Sequence, residues 1–276
     1  MTAAACWARL SRMAEPIDRI RAKVTRAKEN IEDFQLRVRA FYGTHPYTVG
    51  FKEDAQTGKR TYYLASIEDI PLSVETVAAD ALGDLREAID HLAYQLELAA
   101  CGAEPKHPVY FPIADSAAEY PTLRARYIRC AGQAAIDAID ATEPYKGGKG
   151  HGLWQLNTLK KADKHRLLVA TRSVFAGVDL APTVAQILRN SQMAPKLRGI
   201  KIPSVFIREV GTPTLKVGDE LYGEPLDHEV EEDRQFAFDV AFDKPGVVEG
   251  EPALKTLQDL TNLVDGLVTA FAPLLP

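Results

Sequence analysis

The stretch Leu85-Arg86-Glu87-Ala88-Ile89-Asp90-His91-Leu92 brings a guanidinium, two carboxylates and an imidazole onto one short segment. Such a set has the parts for acid/base chemistry beside an anion. His91 is the residue type for a proton acceptor near neutral pH. Arg86 offers a cation for negative charge. Asp90 and Glu87 complete the candidate catalytic set. Asp90, one helical turn after Arg86, is also placed for a simple i,i+4 ion pair. A second chemistry uses the same stretch. Asp80, Asp84, Glu87 and His91 step by 4, 3 and 4, so a helix puts them on one face. Asp84, Glu87 and His91 are then an alternative divalent-metal set.

Further along, YKGGKGHGLWQLNTLKKADKHR at 145–166 carries Lys146, Lys149, Lys160, Lys161, Lys164 and Arg166 against a single acid, Asp163. Lys160, Lys161, Lys164 and His165 are the expected contacts to an anionic substrate, and glycines ahead of a helix can offer backbone N–H groups to a phosphate. Trp154 is expected in the core. The segment is not a P-loop, and no G-x-S-x-G elbow, H-E-x-x-H zinc motif or dinucleotide fingerprint occurs. No cofactor is expected.

Arg86 and His91 form an R-x4-H spacing that resembles the signature of the HEPN superfamily. The resemblance spans about 25 residues. It implies a helical bundle, a homodimer with one motif from each protomer in a shared cleft, and metal-independent endoribonuclease activity of toxin or phage-defence type. Glu87 stands where that family carries a polar residue after the Arg. The chain as a whole is also similar to uncharacterised bacterial proteins that pair an LREAIDHLAYQL-type helix with a later DKHR segment. That likeness groups Arg86, Asp90, His91, Asp163 and His165 in one neighbourhood.

The elements that must position these residues are legible from periodicity. Ile17, Ile20, Val24, Ala27, Ile31, Phe34, Val38 and Phe41 step by 3 and 4, a heptad seam that predicts a helix over 16–42. Its stripe must be covered by another helix, in the chain or across a dimer. Alternating residues on both sides of DAQTGK predict a hairpin over 47–66. Val74, Val77, Ala81, Leu85, Ala88, Leu92 and Leu96 predict a long helix over 73–101, opened by Ser73 and closed at Gly102. Shorter helical patterns fall at 117–129 and 131–142, and another helix starts near Leu153. The run at 166–178 leans towards strand because of its β-branched residues. Strands are expected within 197–243, and a last helix over 252–273. The expected architecture is α+β: a long-helix bundle (16–42, 73–101, 117–165, 252–273) with a small antiparallel sheet inserted between bundle helices. Residues 13–276 form the expected single domain. Residues 1–12 are expected to be a flexible extension, with Met13 as an alternative start.

Composition bounds the function. The chain has 276 residues, 46% hydrophobic and 26% charged, which excludes a disordered, collagen-like or bare coiled-coil protein. No apolar run is long enough to span a bilayer. The net charge of −5 is uneven: residues 1–208 carry 29 Lys/Arg and 23 Asp/Glu, whereas residues 209–276 carry 4 and 15. The acidic C-terminal part is a candidate surface for a protein partner. Cys6, Cys101 and Cys130 are odd in number and widely spaced. That spacing gives no sign of a disulfide framework and predicts a reducing, cytoplasmic setting. The expected activity is a dimeric RNase acting on RNA. The alternatives are a non-catalytic binding or assembly protein, and a metal-dependent hydrolase centred on Asp84, Glu87 and His91.

Overall fold

The computed structural model of the chain describes residues 15–166, 171–180, 184, 206–207, 215–226, 235–244, 246–248 and 250–275. Residues 1–12, expected to be an extension, lie outside the described residues, as does Met13.

Two long helices set the frame. The helix α1 (Pro16–Gly43) starts at a proline, whose fixed φ and missing N–H suit a first turn. The helix α2 (Leu72–Cys101) starts one residue before the expected Ser73. Its N-cap is Pro71 in an extended conformation, and no side chain caps it. At the other end Gly102 adopts φ +67° and donates its N–H to the Leu98 carbonyl, a left-handed cap that suits glycine. The heptad stripe of α1 is covered within the chain: Ile20, Val24, Ala27, Ile31 and Phe34 join Leu82, Leu85, Ile89 and Leu92 of α2 in one core. Ala78, Ala81, Ala88 and Ala93 are fully buried, so helices can approach α2 closely.

The remaining helices are α3 (Tyr120–Tyr127), α4 (Gln133–Ala141), α5 (His151–Arg166) and α6 (Ala253–Phe271), with a short 3-10 turn at Ala272–Leu274. Both α5 and α6 pack on α2, and α6 also packs on α1. Leu153, Leu156, Leu257 and Val264 are fully buried there.

The β part departs from the expected single sheet. Strands β1 (Tyr47–Asp54) and β2 (Lys59–Ile67) form the hairpin, and β5 (Glu220–Pro225) joins it in the order β1-β2-β5. Strands β3 (Thr171–Asp179), β4 (Phe206–Ile207) and β6 (Phe236–Phe242) form a second antiparallel sheet in the order β4-β3-β6. The two sheets share an apolar cluster of Leu64, Phe175, Val178 and Leu215. Tyr47 stacks on Phe238 with ring centroids 4.1 Å apart, and its hydroxyl donates to Ser173 Oγ at 2.9 Å. The division follows from sequence alternation: β6 buries Val240, Ala241 and Phe242 at its helix-facing end, so it is committed to the bundle while the hairpin is not.

A second correction concerns the cysteines. Cys101 and Cys130 form a disulfide, with Cα atoms 5.4 Å apart. Their spacing of 29 residues conceals the pair, because their meeting is made by tertiary packing of the end of α2 against the turn before α4. Cys6 lies outside the described residues. Among the described residues, no helix is long and apolar enough to cross a membrane.

Candidate anion site at Arg86

Arg86 and Asp90 lie one turn apart on α2 and form an ion pair at 3.0 Å. Together they clasp the backbone of a single residue. The Phe111 N–H donates to Asp90 Oδ1 at 2.9 Å, and Arg86 Nη2 donates to the Phe111 carbonyl at 3.2 Å. The Phe111 ring is buried in the main core. The clasp therefore fixes the HPVYFPI segment against α2, which a run between prolines cannot do by joining a sheet. The Arg86 side chain is 15% exposed. Burial pushes its guanidinium below the ordinary arginine value, and Asp90 opposes that shift. Arginine remains charged throughout the physiological range.

One face of the guanidinium is left over. Arg86 Nη1 is buried and has no hydrogen-bond partner. Other atoms of Arg86 line a cavity of about 260 Å³, just below the roughly 300–1,000 Å³ typical of small-molecule sites. Lys160 and Lys161 come to this cavity from α5, with Asn157 one turn earlier. Tyr110 and Tyr127 form the opposite wall, edge to face with centroids 5.4 Å apart. Tyr110 is half-exposed at the mouth. The lining thus holds the Arg86–Asp90 ion pair, two lysines and two aromatic rings. That combination suits an anion attached to a flat ring.

The other expected catalytic residues go elsewhere. His91 is exposed and does not line the cavity; five residues along a helix turn it about 140° away from Arg86. It has no hydrogen bond or ion pair among the described residues. Glu87 pairs with Lys23 of α1 at 2.6 Å. The same ammonium donates to Asp84 at 3.2 Å, and Asn30 Nδ2 donates to Asp84 at 3.0 Å. The hydrogen bond to Glu87, with that to Asp84, holds the Lys23 ammonium above its ordinary value despite burial. The acidic stripe is therefore a lysine site that ties α1 to α2. Asp84, Glu87 and His91 do not converge as metal ligands, which corrects the alternative metal set.

Lys160 reaches across α2 because residue 83 is glycine. A Cβ there would stand 3.2 Å from Lys160 Nζ. The lysine borders both the Arg86 cavity and the Lys23–Asp84 cluster. The backbone of Asp163, Lys164, His165 and Arg166 completes α5, but their side chains lie outside the described residues. The expected roles of Lys164 and His165 therefore fall outside them too.

The glycine loop ahead of α5 is not an open anion cradle. Its N–H groups are used internally: Gly147 donates to His151 Nδ1, Gly148 to the Tyr145 carbonyl, Lys149 to Glu143 Oε2 and Gly150 to the Glu143 carbonyl. Trp154 is buried, as expected, and its indole N–H donates to Asp115 at 2.8 Å.

Among the lining residues that the sequence does not single out are Asn157, Tyr110 and Tyr127. Asn157 looks like any polar helix position. Tyr110 and Tyr127 are 17 residues apart in irregular or weakly patterned chain, and only the fold brings their rings together. Comparison with protein-family models, curated proteins and solved structures finds no match to this chain.

Proposed function

We propose that this protein binds RNA through a phosphate seated in the Arg86 cavity, with a base against Tyr110 and Tyr127. The observation that carries this is the cavity lining, where the Arg86 guanidinium, Lys160 and Lys161 share one space with Tyr110 and Tyr127. A phosphate there would meet cationic donors, and charge-assisted hydrogen bonds are the strong kind. Aromatic walls favour a nucleotide over inorganic phosphate, because stacking tolerates any base.

Metal-independent RNA cleavage is the second reading, favoured by one observation. His91 is exposed and has no hydrogen bond or ion pair among the described residues, a position open to a strand or to a second copy of the chain. Cleavage within one cavity needs an acid/base beside the phosphate, and Arg86 has only Asp90 there. The reading therefore requires His91 to be brought to the Arg86 cavity of another protomer.

Fluorescence anisotropy with a short single-stranded RNA tests the binding. Lys161 is exposed, so Lys161→Ala leaves packing intact. The expected result is weaker binding and a salt slope smaller by about 1. Arg86→Lys, which keeps charge but loses the planar fork, is expected to weaken binding further. Unchanged affinity in both variants refutes the site. RNA cleavage in EDTA by wild type, lost in His91→Ala while binding persists, supports the nuclease reading. Binding without cleavage refutes it.

A further inference from the structure

A second cluster lies at the far end of α2. Glu97 and Cys101 sit one turn apart on its last two turns, and Cys130 and His107 come from the loops that follow. The Glu97 side chain is wholly buried. Its Oε1 accepts three backbone N–H groups, from Arg129 at 2.8 Å, Cys130 at 2.8 Å and Ala131 at 2.7 Å. Its Oε2 has no hydrogen-bond partner. Neither has His107 Nε2, which is also buried and stands 3.3 Å away. The two buried atoms thus face each other, an ion pair only when His107 is protonated. Beside them a Glu97 oxygen and the Cys101 and Cys130 sulfurs lie within 4.8 Å of one another, the only such grouping among the described residues.

We propose that Glu97, Cys101, Cys130 and His107 form a zinc site that opens when the Cys101–Cys130 disulfide is reduced. Two thiolates, an imidazole and a carboxylate are a tetrahedral donor set for Zn²⁺. Bonds of about 2.0–2.3 Å place the donors of such a site about 3.3–3.8 Å apart, so the two sulfurs, bonded to each other in the oxidised chain, must separate on reduction, while a Glu97 oxygen already lies within 4.8 Å of both. The three N–H groups on Oε1 fix the carboxylate with Oε2 turned towards His107, the supporting role that outer hydrogen bonds play around metals. His107 must move its ring towards the sulfurs to complete the set.

The chemistry balances with a dithiol as reductant. Its two thiols give up two electrons and two protons, and the Cys101–Cys130 S–S bond breaks to two thiols as the dithiol closes to its own disulfide. Cys130 is exposed, so the attacking thiolate can reach it. Zn²⁺ then displaces both cysteine protons to solvent, forms two Zn–S bonds, and is neither oxidised nor reduced.

The test uses the full chain. One sample is kept oxidised, and another is reduced with a phosphine, which competes weakly for zinc. Both are exposed to ZnCl₂, desalted and assayed for metal by mass spectrometry. The expected result is about one zinc per reduced chain and none above background in the oxidised chain. Cys130→Ser is expected to lose it, and His107→Gln to weaken it at least tenfold. Co²⁺ in place of zinc should give the intense absorption of a tetrahedral thiolate site. Circular dichroism separates folding from binding. A reduced chain that keeps its helices and holds no zinc overturns the proposal. So does a reduced chain that unfolds and is not restored by zinc, and so does unchanged zinc in either variant.

Discussion

Replacing Glu97 by Leu should be among the most damaging single changes in the bundle. Three backbone donors end on one buried carboxylate oxygen. The Ala131 N–H is buried, so losing its acceptor costs about 2–3 kcal/mol; the Arg129 and Cys130 N–H groups are partly wet, and about 1 kcal/mol each is reasonable. The sum is about 4–5 kcal/mol, a large part of the roughly 5–15 kcal/mol that holds a domain together. Glu97→Gln keeps an acceptor oxygen and loses only the charge assistance, so about 1–2 kcal/mol is expected. Urea unfolding of oxidised protein in EDTA reads both numbers without interference from thiols or metal. At two to four degrees per kcal/mol, Glu97→Leu should also lower the melting temperature by about 8–20 °C. A loss below about 1 kcal/mol for Glu97→Leu, or equal losses for Leu and Gln, would refute the claim that the carboxylate organises the 128–131 turn.

Two further outcomes follow from the structure. Leu85 is fully buried between α1 and α2, so Leu85→Ala should cost about 3–4 kcal/mol in urea unfolding with an unchanged m-value; a loss under about 1 kcal/mol would show that the site collapses freely. Asp54 closes the hairpin turn, and hydrogen bonds from the Thr57 hydroxyl and then the Gln56 and Thr57 N–H groups hold its carboxyl below the ordinary value. A lowered folded value means that its contribution is complete above the ordinary aspartate range and is lost as pH falls through the folded value. Carbon-detected NMR titration should show the Asp54 midpoint rising in Thr57→Val, and an unmoved midpoint would remove the hydroxyl as the cause.

The helices were legible because their apolar positions repeat at helical spacing over many turns. The expected 16–42 is observed at Pro16–Gly43, and 73–101 at Leu72–Cys101. The hairpin was legible from alternation around DAQTGK. Sheet membership was not, because β5 and β6 lie near each other in sequence yet join different sheets according to which face each buries. Arg86 and Asp90, singled out by type and spacing, share a partner in the fold, the Phe111 backbone. Helix geometry separates His91 from them, as the angle between positions five apart requires. The two tyrosines, Asn157, Glu97 and His107 carried no local signal. Each becomes informative only through partners brought near by the fold.

The clasp on Phe111 has a consequence for the order of the Arg86 side chain. Arg86 holds the Phe111 carbonyl through Nη2 and pairs with Asp90, so its guanidinium is fixed in the folded chain. A flexible surface arginine must surrender several rotors to grip an anion, an ordering cost of about 0.5–1.5 kcal/mol. Here that freedom is already gone in the folded chain, so the guanidinium behaves as a rigid tooth rather than a tether. Because Arg86 and Asp90 hold residue 111 by its main-chain N–H and carbonyl, that residue can change its side chain, subject to core packing, without altering the tooth's aim.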